Sequence, residues 1–164
     1  MRLSGDSGGM ELLLRWKSVA GSGIGCQGRC PARLAQGAPM IRILLAEDDE
    51  SMRVYLARAL VRAGYEVTAV DRGTAALPFI KSEAFDLLLT DIVMPEMDGI
   101  ELAQKAAGIA PHMRVMFITG FAAVALKAGK AAPSAKILSK PFHLRDLVAE
   151  VDRLFQAEDQ HGRL

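Results

Sequence analysis

The sequence predicts a doubly wound α/β domain, with five parallel strands and helices on both faces of the sheet. Two observations predict it. Between residues 40 and 157, short apolar segments alternate five times with segments of helical period. One of those segments, "FDLLLT", carries three leucines in a row, as expected of a strand covered on both faces. The joints between segments are short, so each helix acts as a crossover that returns the next strand parallel to the last.

The elements follow in order. "IRILLA" (41–46) is an apolar run that ends against acids. "ESMRVYLARALVRAG" sets Met52, Tyr55, Leu56, Ala59, Leu60 and Ala63 on one stripe and stops at Gly64, the residue suited to a helix end. "YEVTAV" is a short strand and "GTAALPFIKS" a helix that Pro78 should bend or shorten. After "FDLLLT" come the helix "GIELAQKAAG", the strand "RVMFIT", a weak Ala-rich helix "AAVALKAGKAA" and the short strand "KILS". "LRDLVAEVDRLF" closes the domain with Leu144, Leu147, Val148, Val151, Leu154 and Phe155 on one face. The domain is expected over residues 40–157, with a short tail at 158–164.

Residues 1–39 differ in character. They show no sustained period, are rich in glycine, and read as a disordered extension or as the product of an over-long start, since Met40 stands just before the first strong strand. Gly23, Gly25 and Gly28 satisfy G-x-G-x-x-G, but neither a strand before nor a helix after supports a nucleotide-binding reading. This segment holds five basic residues against Asp6 and Glu11, a net of +3, which leaves the rest of the chain at −2 out of a total of +1. A mildly acidic body argues against non-specific binding to nucleic acid. No apolar run is long enough to insert in a membrane, and "LLL" at 12–14 is too short for an export signal. The two cysteines, Cys26 and Cys30, are therefore not expected to form a structural disulfide, and the protein is expected to be cytoplasmic. At 51% hydrophobic and 24% charged, 164 residues suit one soluble domain with a sizeable core.

In doubly wound sheets, ligands sit outside the carboxyl ends of the strands. There the sequence gathers Glu47, Asp48 and Asp49 after the first strand, Asp91 at the end of the third, Thr119 at the end of the fourth, and Ser139 and Lys140 before Pro141 after the fifth. Clustered carboxylates repel unless a cation intervenes. With only hard oxygen ligands and no His or Cys at this edge, the cation expected is Mg²⁺ and not Zn²⁺. An aspartate beside Mg²⁺ can act as a nucleophile towards phosphorus, with an ammonium and a hydroxyl to stabilise the transferred group. The constellation describes a phospho-acceptor.

The motifs "AEDD", "LLLTDIVMPEMDG", "FITG" and "SKPF", in this order, resemble the receiver domain of two-component response regulators over residues 40 to about 156. The resemblance implies a flavodoxin-like fold with strand order 2-1-3-4-5. It also implies that Asp91 is the phosphorylated residue, that Asp48 binds Mg²⁺ directly with Glu47 beside it, and that the Val93 carbonyl is a further ligand. Thr119 would follow the phosphoryl group and Lys140 would pair with it. "TDIVMPEMDGIELA", "MFITGFAAVAL" and "SKPFHLRDLV" are similar to a group of single-domain receivers well beyond the general pattern. That similarity implies phosphate from a histidine kinase or histidine phosphotransferase. It implies, too, that the unphosphorylated form promotes substrate delivery to the ClpX–ClpP protease or another protease component.

Two features qualify these expectations. The family commonly has an aromatic residue three positions before the lysine, where this chain has Ile137. A rival reading is an aspartate-nucleophile phosphatase or phosphotransferase, which needs a second acid two residues after the nucleophile; that position is Val93. A third reading is a receiver-like module that binds its partners constitutively. Asp49 is expected to be a solvated acid at a helix start, Met94 and Met97 to be packing residues, and His112, His143 and His161 to lie at the surface or to cap helices. Phe121 suits either the core or a partner contact.

Overall fold

The computed structural model of the chain describes residues 15–16 and 40–159. The glycine motif at 23–28, Cys26, Cys30 and His161 lie outside the described residues. Strands β1 (Arg15–Trp16), β2 (Arg42–Ala46), β3 (Glu66–Val70), β4 (Leu87–Asp91), β5 (Arg114–Thr119) and β6 (Lys136–Ser139) form one sheet in the order β1-β3-β2-β4-β5-β6. The five longer strands are parallel throughout and stand in the expected order 2-1-3-4-5. Between them run α1 (Glu50–Arg62), α2 (Gly73–Ser82), α3 (Gly99–Ile109) and α4 (Ala122–Ala131), and α5 (Leu144–Asp159) follows β6.

The addition is β1, where the sequence offers no strand. It pairs antiparallel to β3 through Arg15↔Thr68 and Trp16↔Val67. An edge strand leaves its outward N–H and C=O groups open, so two extended residues suffice to pair with it whatever their strand propensity.

The sheet separates two cores, and strand alternation assigns residues to each. Leu87 and Leu89 join Ile43, Leu45, Leu56, Leu60, Met116, Ile118, Leu147 and Val151 on the α1/α5 side. Leu88 joins Leu44, Ala46, Ala76, Ile80, Leu102 and Ala106 on the α2/α3 side. The three leucines are fully buried. At about 1.5–3 kcal/mol each, their burial drives β4 through the centre of the molecule. A third cluster, Ile92, Ala103, Phe117 and Ala128, lies under α4 with Ile100, Val124 and Ile137 packed against it.

Local chemistry sets the helix ends. Asp49 caps α1 by accepting a 2.7 Å hydrogen bond from the Met52 N–H, so the helix-start reading of this acid holds. Asp98 caps α3 in the same way, accepting from the Glu101 N–H at 2.8 Å. Past α1, Gly64 takes φ of 96°, a left-handed conformation that explains why the stripe stops at a glycine. Pro78 lies inside an α2 that runs unbroken over Gly73–Ser82, so it does not cut the helix. Tyr55, assigned to the apolar stripe of α1, is instead 56% exposed; the stripe that packs is narrower and centred on Leu56 and Leu60. Met94 and Met97 are buried in the α2/α3 core.

Candidate functional site

The site is built where β2, β4, β5 and β6 end side by side. Pairing of Ala46 with Thr90 puts the loop after β2 next to the end of β4, and Asp91 pairs with Ile118, one residue before Thr119. Thr119 in turn pairs with Ser139, so Lys140 emerges beside the acids. The Lys140–Pro141 peptide is cis.

Sheet geometry brings the predicted residues together. Glu47, Asp48 and Asp91 each present a carboxylate oxygen within 4.8 Å of the others. Lys140 Nζ donates to Asp91 Oδ2 at 2.7 Å and to Glu47 Oε2 at 3.3 Å. Asp91 Oδ1 accepts from the Val93 N–H at 3.0 Å, which orients the carboxylate towards the lysine. The Val93 side chain is half-exposed. Thr119 is buried, and its hydroxyl accepts from the Phe121 N–H at 3.1 Å, while its carbonyl accepts from the Lys140 N–H at 2.7 Å. Ser139 and Asp49 are exposed. Phe121 is 61% exposed, which removes it from the core.

The electrostatics of the site follow from burial. Glu47 is 1% exposed, and desolvation, with the Asp91 charge beside it, pushes its pKa from 4.5 up to about 7; Lys140 offsets part of that rise. Burial works to lower the Lys140 pKa. The hydrogen bond to Asp91 and the charges of Asp91 and Glu47 outweigh it, so the ammonium titrates above its ordinary value. Repulsion among three clustered carboxylates, two of them buried, would be relieved by a bound cation. The donor set is all hard oxygen and fits Mg²⁺.

Two residues matter to this geometry beyond those singled out from sequence. Gly99 lies against the β4 end, donating its N–H to the Ile92 carbonyl at 2.9 Å. A Cβ there would stand 2.2 Å from the Asp91 carbonyl oxygen. Asp98-Gly99 is visible in the sequence as a helix opening, but the close approach to Asp91 is not. Arg53, on the first turns of α1, donates from its guanidinium to the carbonyls of Glu47 at 2.7 Å and Asp48 at 3.3 Å. Its sequence context carries no signal for that contact. An open cleft of about 440 Å³ lies beside Lys140, lined by Asp49, Ser51, Met52 and Tyr55.

Comparison with known proteins agrees with this geometry. The family model for the response regulator receiver domain matches residues 43–152. The chain is 60% identical over 119 residues to the response regulator receiver protein CpdR of Brucella abortus, a match covering 72% of this chain and 99% of that one. It is 40% identical over 114 residues to the response regulator protein FleR of Pseudomonas aeruginosa, covering 68% of this chain and only 24% of that longer protein. Among solved structures, a CheY-like receiver domain protein from Methanospirillum hungatei superposes with a TM-score of 0.69 at 30% identity, over 76% of this chain and all of the other. The strand order, the acid cluster at the strand ends and the lysine that closes it have the same explanation: the chain belongs to the receiver domain family of response regulators.

Proposed function

We propose that this chain is a single-domain phosphorylation switch in which Asp91 accepts a phosphoryl group from a phosphohistidine. The observation that carries the reading is the 2.7 Å bond from Lys140 Nζ to Asp91 Oδ2 inside a cluster of three carboxylates. The open cleft beside Lys140, lined by Met52 and Tyr55, supports an approach from this face by the phosphohistidine of a kinase or histidine phosphotransferase. One carboxylate oxygen of Asp91 attacks phosphorus. The P–O bond forms as the P–N bond to imidazole breaks, and the electron pair leaves with the ring nitrogen. Lys140 shifts from pairing with the free carboxylate to pairing with a phosphoryl oxygen, and the Val93 N–H keeps the acyl end in place. Thr119 turns its hydroxyl from the Phe121 N–H towards the new group. Glu47, Asp48, Asp91 and the Val93 carbonyl would hold Mg²⁺, which supplies positive charge against the phosphoryl oxygens.

The output is a change in protein contacts. Similarity to CpdR over 99% of that protein's length supports an adaptor of the same kind, whose unphosphorylated form promotes substrate delivery to ClpX–ClpP in the cytoplasm. Among the described residues, no helix is long and apolar enough to cross a membrane. A turnover enzyme is disfavoured because the position two residues after Asp91 is Val93, which has no proton to give.

The test is incubation with acetyl phosphate and Mg²⁺ followed by intact mass. Wild type should gain one phosphoryl group and Asp91→Asn none; an unmodified wild type would overturn the acceptor role, and rapid multiple turnover of acetyl phosphate would favour the enzyme. Capture on immobilised ClpX should fall when a phosphoryl mimic is present. Equal capture in both states would rule out phosphorylation as the control.

A further inference from the structure

We propose that Arg53 is a positioning residue for the metal site, fixing the loop that carries Glu47 and Asp48 so that the Asp48 carboxylate is presented towards Asp91. The inference rests on the metal-site reading above and concerns how this chain builds that site.

The loop between β2 and α1 is three residues long and carries two of the three clustered acids. Glu47 is anchored from the sheet side, its N–H donating to the Val70 carbonyl at 3.2 Å, and its side chain is held by Lys140. Asp49 is anchored from the helix side as the cap of α1. Asp48 lies between them, exposed, and its carboxylate has no hydrogen-bond partner among the described residues. What holds Asp48 is its backbone, and Arg53 is the group that does so. The guanidinium donates to the Glu47 and Asp48 carbonyls, which flank Asp48 along the backbone, and the Arg53 N–H donates to the Asp49 carbonyl at 2.8 Å. One side chain thus satisfies two carbonyls at the mouth of the site, while its residue's own backbone secures the third.

A carboxylate that is already aimed loses less freedom on binding a cation than one that must be ordered first. Arg53 carries a positive charge, and through Coulomb's law alone that charge opposes a cation nearby. The two effects have opposite signs. If Arg53 acts only as a charge, its removal tightens Mg²⁺ binding; if it positions Asp48, its removal weakens it.

The experiment is a Mg²⁺ titration of the full chain, followed by the amide chemical shifts of Asp48, Ile92 and Gly120, for wild type, Arg53→Met, Asp48→Asn and the double variant. Arg53→Met should raise the half-saturating Mg²⁺ concentration about fivefold, the loss of one net hydrogen bond. In the Asp48→Asn background the same substitution should change it by less than about twofold, because the residue through which Arg53 acts is already gone. Unchanged or tighter binding by Arg53→Met, or an equal loss in both backgrounds, would overturn the positioning role while leaving the metal site standing. A wild-type chain whose amides do not respond to Mg²⁺ would overturn the metal-site reading and this role with it.

Discussion

Asp91 and Lys140 are legible in the sequence because their types are costly where they stand: an acid ending a buried strand and a lysine before a proline at the same edge both call for a partner. The distances between them are not legible, and neither are residues that act through backbone. Gly99 is the clearest case. A glycine at a helix start has an ordinary explanation in the capping of α3, and only the fold reveals that its missing Cβ makes room for the Asp91 carbonyl. Gly99→Ala is expected to force β4 and α3 apart, at a cost of about 1–3 kcal/mol of stability, and to slow phosphorylation of Asp91. Chemical denaturation and the rate of adduct formation measure the two effects. A variant with wild-type values for both would show that the loop yields without disturbing the site. Lys140→Met should also slow adduct formation, since Asp91 and Glu47 would then face each other without an ammonium between them.

Among the elements, the strands and α5 follow directly from apolar patterning, because burial on one or both faces leaves a period in the sequence. Departures occur where the period is ambiguous. Tyr55 falls three residues after Met52 and four before Ala59, a helical spacing, yet it is exposed beside the site cleft. The edge strand β1 leaves no period because its pairing comes from open backbone groups on β3. Helix α4 is the weakest helix in composition and in packing: among its described side chains only Ala128 is buried, while Leu126 is 72% exposed and Phe121, at its cap, 61%. With so little apolar surface buried, α4 should open at lower free energy than α1 or α5. Hydrogen exchange on the unphosphorylated protein should show α4 amides exchanging faster than those of α1, and a phosphoryl mimic should change α4 exchange more than α2 exchange. Equal protection of α1 and α4 would count against a weakly held α4.

For the molecule as a whole, Glu47 links proton binding to stability, and on the proposed metal site it links both to Mg²⁺. Its folded pKa of about 7 lies above the ordinary 4.5, so the folded state holds this proton more tightly than the unfolded state does. The stabilisation is fully present below about pH 4.5 and is lost as pH rises through about 7. In EDTA, the melting temperature should therefore fall between pH 5 and pH 7.5, and Glu47→Gln should flatten that decline. On the proposed metal site, added Mg²⁺ should remove most of the fall, since a cation held only by the folded state would take the place of the proton. A wild-type melting temperature that rises over this range, or an unchanged slope in Glu47→Gln, would show that Glu47 is not the group responsible. The global architecture that creates this linkage was readable from five alternating units and from the acids at their ends. The depth at which Glu47 is buried was not, because it depends on how tightly β3, β2 and β4 close around the loop.

The third hydrophobic cluster has a consequence for how far a signal must travel. Ile92, one peptide bond beyond Asp91, is 1% exposed and packs with Phe117 and Ala128 under α4, alongside Ile137. On the proposed function, the carboxylate that accepts the phosphoryl group and the packing that seats α4 are anchored on adjacent residues, Asp91 and Ile92. Ile137 packs against that same cluster, so an aliphatic side chain stands in the packing beneath α4. In this chain one peptide bond separates the proposed acceptor from the residue that seats α4.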